Sequence, residues 1–165
     1  MKTTPILAAA LGLAPLFAGT AFAETHGAEP VQIGILSCNL GLGDGSFTGE
    51  GKMASCIFDP AQDAFSEETY DGEVNSSGPG SGETVNGSMA WLVFAPSADS
   101  WSEGGLAGSF TAISDEGAFG SSLGRDVLGG GTEGKLALQP LNLGPADTPS
   151  VFDGVTEMQL KLKDG

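Results

Sequence analysis

The amino-acid sequence predicts an all-β protein, a single antiparallel β-sandwich or small barrel with glycine-rich loops and little helix. Three observations lead to this prediction. Short apolar runs alternate with polar residues at the two-residue period of a strand. Clusters of Gly, Pro, Asn and Ser separate these runs at regular intervals. The residues that favour helices are not arranged with helical period.

The start of the chain has the layout of a secretory signal peptide. Lys2 gives a positive start, the stretch 6–22 is almost entirely apolar or small, and residues 21–23 read Ala-Phe-Ala, a typical cleavage signal. A membrane-spanning helix is the alternative. It is disfavoured because Pro15 and Gly19 interrupt a short stretch that no basic flank follows.

The predicted domain organisation follows from that cleavage site. The chain divides into a signal peptide over 1–23, a flexible N-terminal segment over 24–30 and a single β-domain over 31–165. The mature chain has the size of one ordinary domain. No later stretch is long and apolar enough to span a bilayer, so we expect a periplasmic or secreted protein with no transmembrane segment after cleavage.

The charge balance is strongly acidic, with 21 Asp and Glu against 6 Lys and Arg and a formal net charge of −15. This field repels nucleic acid, which excludes DNA and RNA as partners. A solvated acidic surface explains the charge more simply than an acidic site for a cationic partner. For an exported domain the candidate partners are an envelope protein, a lipid or a glycan.

Two cysteines, Cys38 and Cys56, lie in strand-like runs. In an exported chain a lone pair is most simply a disulfide. Free thiols and half of a metal site are the alternatives. The metal site is disfavoured because zinc needs about four ligands, and His26, the one histidine, lies near the new N-terminus. We expect no metal and no cofactor.

The first four strands are predicted in the first half of the mature chain. VQIGILSCNL over 31–40 has one face more apolar than the other, and KMASCIF over 52–58 forms the second strand. A short third strand is expected around 69–74. SMAWLVFAP over 88–96 is apolar on both faces, so we expect a central strand covered on both sides, with Trp91 buried.

Three further strands are predicted in the second half, the first of them in LAGSFTAIS over 106–114. KLALQPLNLG over 135–144 places its four leucines on one face only if a β-bulge lies at Gln139-Pro140. VTEMQLKLKDG over 155–165 carries outward lysines, which are typical of a strand near a sheet edge. Its predicted inward residues are Met158, Leu160 and Leu162.

Five segments resemble, in order, the bacterial domain-of-unknown-function family numbered 992. They are VQIGILSC, MASCIF, MAWLVFAP, LAGSFTA and LALQPL, and the resemblance covers nearly the whole mature chain. It implies an exported single domain with both cysteines at family positions. The chain differs from the family pattern after Leu141 and around 78–82. The resemblance brings no activity and no catalytic residue.

Residues 120–124 read Gly-Ser-Ser-Leu-Gly and fit G-x-S-x-G, which presents a nucleophilic serine in many hydrolases. Ser122 would then need a histidine base oriented by an acid. His26 is the sole histidine, and the preceding SDEGAFG is polar and glycine-rich rather than a buried strand. We therefore interpret Ser122 as a turn residue and assign no catalytic residue.

Two acidic segments are candidates for weak cation binding. In GLGDGSFTGEG, Asp44, Ser46 and Glu50 offer oxygen ligands of the kind that calcium takes, but the alternating Asp/Asn ladder of a calcium loop is missing. The same loop lacks the Gly-Lys-Ser/Thr ending of a phosphate-binding loop. A hairpin loop and a solvated face are the simpler interpretations of the two segments. The second segment contains Glu67, Glu68, Asp71 and Glu73.

Two aromatic residues in polar surroundings, Trp101 and Tyr70, are candidates for a binding surface. An exposed Trp often marks a recognition surface. The alternative is a loop Trp folded back over the core, which the large area of an indole favours. From its neighbouring serines and glutamate we expect Trp101 to be more exposed than Trp91.

For function, the sequence favours a non-enzymatic, disulfide-stapled β-domain that serves as an envelope-associated structural or binding module. This expectation rests on the lack of a nucleophile–base pair, a metal-ligand set or a cofactor loop in the sequence. One alternative is a carbohydrate-active hydrolase that uses carboxylates alone, although nothing in the sequence selects a pair. Another is a carrier of a small apolar ligand, if the strands close into a barrel with an unfilled interior.

Overall fold

The computed structural model of the chain describes residues 29–41, 51–76, 87–113, 123, 126–141 and 155–163. These residues form eight strands and one short 3-10 helix, which confirms the prediction of an all-β protein. Among them no helix is long and apolar enough to cross a membrane. The strands are β1 (Val31–Leu40), β2 (Lys52–Pro60), β3 (Glu68–Ser76), β4 (Ser88–Ala95), β5 (Gly108–Ala112), β6 (Leu128–Gly130), β7 (Leu136–Pro140) and β8 (Val155–Leu162).

The strands close into an antiparallel barrel in the order β1-β2-β3-β8-β5-β6-β7-β4. β4 pairs back onto β1, with Leu36 opposite Trp91, and this pairing completes the ring. Of the two architectures that the sequence left open, the barrel is the one observed. Closure gives each strand two partners and removes the unpaired edges of an open sheet.

Large side chains fill the interior of the barrel. Alternate residues of each strand point inward, as the two-residue period requires. An eight-stranded barrel is just wide enough for such side chains to fill it. The largest fully buried side chains are those of Trp91, Tyr70, Phe58, Phe110, Ile33, Leu36 and Met89.

β4 lies between β1 and β7, as expected for a central strand. Its inner face is buried, and Trp91 is 1% exposed, which confirms the predicted burial. Its outer face is half-buried, because Phe94 packs against a small second cluster outside the barrel. That cluster contains Leu123, Val127 and Ala137, with Ile113 against it.

The disulfide is present and joins Cys38 to Cys56 across the β1–β2 pair. The two residues lie directly opposite each other in the register, with their Cα atoms 4.0 Å apart. Both are buried against the core. The free-thiol and metal-site alternatives for these cysteines are therefore wrong.

In the second half of the chain, β7 and β6 depart from the sequence predictions. The predicted bulge at Gln139-Pro140 is wrong, because the pairing from Ala137 to Pro140 runs opposite β4 without a shift. β6 was not predicted. It contains Gly130, where a Cβ would collide with the carbonyl oxygen of Ser109 and the Cα of Phe110 on β5. A glycine in a short strand can thus mark a close approach of two backbones.

The last strand is not at an edge, since β8 pairs with β3 on one side and β5 on the other. Met158 and Leu160 are buried as predicted. Leu162 is 39% exposed, which contradicts the prediction for that residue. Leu162 pairs with Tyr70 on β3, but the pairing between β8 and β5 ends at Leu160. This end of β8 therefore has a paired neighbour on the β3 side alone.

Candidate binding groove at one end of the barrel

The segment after β4 folds back over one end of the barrel and carries Trp101 with it. The 3-10 helix Ala98–Ser100 turns the chain, and the amide of Ser100 donates to the carbonyl of Ser97 at 3.1 Å. The indole of Trp101 then packs at 4.3 Å from the ring of Phe65 and 5.3 Å from that of Phe58. The turn therefore places a residue from a polar run against the aromatic core.

Trp101 is 5% exposed and Trp91 is 1% exposed, so Trp101 is the more exposed of the two, as predicted, although both are buried. The alternative, a Trp folded back over the core, is what the structure shows. The physical reason is the large apolar area of an indole, which the two phenylalanine rings cover. Tyr70 is fully buried as well. Neither ring therefore offers an exposed face to a partner.

Tyr70 and the loop after Trp101 meet at one carboxylate. The hydroxyl of Tyr70 donates to Glu68 Oε2 at 2.5 Å, and the amide of Gly104 donates to Glu68 Oε1 at 2.6 Å. These three groups, which we name the Glu68 clasp, fasten the loop to the start of β3. Burial raises the pKa of Tyr70 above its ordinary value, and the hydrogen bond and negative charge of Glu68 raise it further.

A second set of hydrogen bonds joins this loop to the turn between β6 and β7. The amide of Thr132 donates to the carbonyl of Gly105 at 3.0 Å, and its hydroxyl donates to the carbonyl of Ala107 at 2.9 Å. The turn closes on itself through the amide of Gly134, which donates to the carbonyl of Gly131. The loop and the turn are thus held side by side at the end of the barrel.

A groove of about 450 Å³ lies between the loop and the turn. This volume falls within the usual range for sites that bind small molecules. We name it the Trp101 groove. It is lined by residues 99–105 on one side and by Thr132, Glu133, Lys135 and Leu136 on the other.

Trp101 is one of the residues that line this groove, and its indole N–H is a buried donor with no hydrogen-bond partner among the described residues. Gly105 lies beside it, since a Cβ placed on that glycine would be 3.5 Å from Trp101 Nε1. A buried donor left unpaired costs about 1–3 kcal/mol, and such donors are rare in native proteins. Beside the groove there is therefore a buried donor with which an acceptor on a ligand could pair.

The rim of the groove is acidic, with the carboxylates of Asp99, Glu103 and Glu133 against the ammonium of Lys135. Lys135 Nζ lies 2.8 Å from Glu133 Oε2, and both side chains are exposed. This hydrogen bond and the charge of Lys135 lower the pKa of Glu133. A carboxyl that acts as general acid needs a raised pKa, so Glu133 is unsuited to that role.

The acidic cluster predicted after β2 is dispersed in the structure. Glu67 is exposed and Glu68 belongs to the clasp. Asp71 and Glu73 lie on the outer face of β3 but are buried, so the interpretation as a solvated face is wrong for these two residues. Glu73 Oε1 accepts from the amide of Gly51 at 2.9 Å. Asp71 Oδ1 lies 3.6 Å from Lys163 Nζ. Within the described ranges no three His, Cys, Asp or Glu side chains come together as metal ligands.

Several residues singled out from the sequence lie outside the described ranges. Ser122 and His26 are among them, so the structure does not test the interpretation of Ser122 as a turn residue. The same holds for the predicted signal peptide over 1–23. The three candidate calcium ligands of the first loop, Asp44, Ser46 and Glu50, are also outside these ranges.

The sequence indicated Trp101 and Tyr70 as candidates but did not predict that Glu68 connects Tyr70 to the loop after Trp101. The Glu68 clasp connects residues 36 positions apart, and the groove needs a turn that follows β6. Glu68 had a signal in the sequence only as one member of an acidic run. No local sequence pattern distinguishes a carboxylate that binds a distant loop from one that faces water. The partner of Glu68, the Gly104 amide, is 36 positions away and comes close only when the barrel closes.

Comparison with known proteins relates the chain to one family. No curated protein and no solved structure matches it. The family described as Protein of unknown function (DUF992) matches residues 17–161, and this range contains β1 to β7 and all of β8 except its last residue. The match covers most of the 165 residues, so the chain belongs to the DUF992 family.

Proposed function

We propose that this protein is an exported, non-enzymatic binding module of the cell envelope, and that the Trp101 groove holds its ligand. Export is supported by the leader-like layout of residues 1–23 and by the buried disulfide, because disulfides persist mainly in oxidising compartments. The ligand is small and polar. The observation that carries this proposal is the unpaired indole N–H of Trp101 at the wall of the groove.

The rim chemistry supports binding over hydrolysis. A carboxylate-based hydrolase needs one carboxyl kept protonated and a second one ionised. Lys135 holds the pKa of Glu133 below its ordinary value, which works against protonation at this position of the rim. The groove thus has hydrogen-bonding groups in place, and at Glu133 the ionised form is favoured over the protonated form that a general acid needs.

The packing of the barrel weighs against a carrier of an apolar ligand. Such a carrier needs a lumen with space for the ligand. Here the inward side chains of Trp91, Tyr70, Phe58 and Phe110 are fully buried against each other and their neighbours. A site at the end of the barrel, outside this core, is compatible with that packing.

The proposal is tested by NMR on the oxidised mature protein labelled with ¹⁵N. Four probes are titrated separately: a neutral oligosaccharide, an acidic oligosaccharide, spermidine and a short-chain fatty acid. We expect at least one polar probe to shift the backbone amides of residues 99–105 and 132–136. The same samples are checked by mass spectrometry for cleavage products, whose appearance would contradict the non-enzymatic assignment.

A matched pair of variants locates the binding. Ser102→Trp adds a bulky side chain in the groove, whereas Ser37→Trp adds the same side chain on the exposed outer face of β1. We expect Ser102→Trp to abolish the shifts and Ser37→Trp to preserve them. Equal binding by both variants, or shifts confined to other surfaces, would show that the groove is not the site.

A further inference from the structure

We infer that the ligand of the Trp101 groove is a neutral saccharide, and that the indole N–H of Trp101 donates a hydrogen bond to one of its oxygen atoms. This inference rests on the proposed function and narrows it to one chemical class. It combines three observations: an unpaired buried donor, an acidic rim, and a volume of about 450 Å³.

The donor requires an acceptor on the ligand. An indole nitrogen donates and cannot accept, so the group that pairs with Trp101 Nε1 must carry a lone pair. A polyamine, whose nitrogens are protonated at neutral pH, offers donors alone. Hydroxyl, ring and amide oxygens of a saccharide are suitable acceptors. The unpaired donor therefore disfavours a simple organic cation.

The acidic rim of the groove favours a ligand that also carries hydrogen-bond donors. Asp99, Glu103 and Glu133 present acceptors, and the chain carries a formal net charge of −15. An anionic ligand would be repelled by this field. Lys135, the cation of the rim, is already 2.8 Å from Glu133 Oε2. A ligand with no charge whose groups both donate and accept satisfies the rim and the indole together, and hydroxyl groups do this.

Access to the indole N–H passes the turn from Ser102 to Gly105. The amide of Gly105 donates to the carbonyl of Ser102 at 2.9 Å, and Gly105 itself lies against the indole. Trp101 Nε1 is itself buried, so the inference requires this turn to move outward when the ligand binds and to uncover the nitrogen. The ligand oxygen then replaces the contact with Gly105, and pairing of the donor compensates for the movement.

The test uses the two indole N–H signals of the mature protein, since the chain has two tryptophans. Maltotriose and triacetylchitotriose serve as neutral probes, with trigalacturonic acid and spermidine as charged ones. We expect a neutral probe to shift the Trp101 indole signal, while the Trp91 signal, from a residue 1% exposed in the core, stays in place. We expect the charged probes to leave both signals unchanged.

A replacement of one atom group isolates the hydrogen bond. β-(3-Benzothienyl)alanine at position 101 keeps the shape of the indole but has sulfur in place of N–H. We expect it to weaken binding of the neutral probe about tenfold, the factor that corresponds to one hydrogen bond. The same replacement at position 91 is the matched control and should leave affinity unchanged. Without ligand, the variant at 101 should melt no lower than the native protein, because the lost N–H had no partner.

The outcomes separate this inference from the proposed function. Groove shifts with spermidine or trigalacturonic acid, and none with the neutral saccharides, would keep the groove as a binding site and overturn the saccharide. Unchanged affinity for a neutral probe after replacement at position 101 would overturn the role of the N–H. No shift at residues 99–105 with any probe would overturn the groove as well as its ligand.

Discussion

Removing the carboxylate of the Glu68 clasp should loosen one end of the barrel. Glu68→Ala deletes the acceptor of two hydrogen bonds, from the Tyr70 hydroxyl at 2.5 Å and the Gly104 amide at 2.6 Å. A hydrogen bond to a charged group contributes about 1.5–3 kcal/mol net. Both bonds are partly buried, so we expect a loss of about 3 kcal/mol in the free energy of unfolding. Glu68→Gln keeps an acceptor without the charge and should lose about half as much.

Urea denaturation followed by far-UV circular dichroism measures these losses. The matched control is Glu67→Ala, which removes an exposed acid next to the clasp and should change stability by less than about 0.5 kcal/mol. A double-mutant cycle with Tyr70→Phe isolates the hydroxyl bond and should give a coupling of about 1.5 kcal/mol. Near-UV circular dichroism reports in parallel whether the loop that carries Trp101 keeps its packing.

The reasoning fails if Glu68→Ala and Glu67→Ala are equally mild. That result would mean that the loop stays in place without the carboxylate. A large loss in Glu68→Ala with zero coupling to Tyr70→Phe would be a different failure. It would assign the stability to the Gly104 amide alone and would remove the tyrosine from the clasp.

Three further outcomes follow from the buried groups of the barrel. Tyr70 is the sole tyrosine, and because its pKa is raised in the folded protein, the unfolded chain loses the hydroxyl proton at a lower pH than the folded one does. The free energy of unfolding should therefore fall as pH rises above about 10, and tyrosinate absorbance should appear only as the barrel unfolds. Reduction of Cys38–Cys56, with 18 residues of sequence separation, should cost about 3 kcal/mol in urea unfolding, and an unchanged midpoint would contradict this. Trp101→Ala should cost about 3–5 kcal/mol, close to Trp91→Ala, and a loss below about 1 kcal/mol would mean that the indole is not packed as described.

The strands with strict alternation could be predicted from the sequence because each of them has a buried face. β1 and β2 alternate between core and surface, whereas β4 was recognised because it is apolar on both faces, and the predicted ranges of all three agree with the observed ones to within two residues. The pairing of Cys38 with Cys56 followed from the same two strands and the redox environment of an exported chain. The sequence did not distinguish a sandwich from a barrel, because both have strands with one buried face.

The predictions that failed depend on contacts between segments far apart in the chain. The bulge at Gln139-Pro140 assumed that four leucines share one face of a strand, yet β7 stays in register with β4 and ends at Pro140, so Leu141 lies beyond the strand. Leu162 follows the inward alternation but lies beyond the pairing with β5, so alternation does not bury it. The groove beside Trp101 could not be predicted, since its two walls come from segments that meet only after the ring of strands has closed.

The position of β8 has a consequence for the order in which the protein folds. β8 lies between β3 and β5, so the chain must reach Leu162, which pairs with Tyr70, before the ring is complete. The β1–β2 hairpin and its disulfide can form while later residues are still being delivered, because their contacts are local. Until β8 arrives, β3 and β5 are two open edges, each able to pair with another chain. Pairings this distant in sequence form slowly, and the danger of aggregation is therefore concentrated in the time between the emergence of β5 and the insertion of β8.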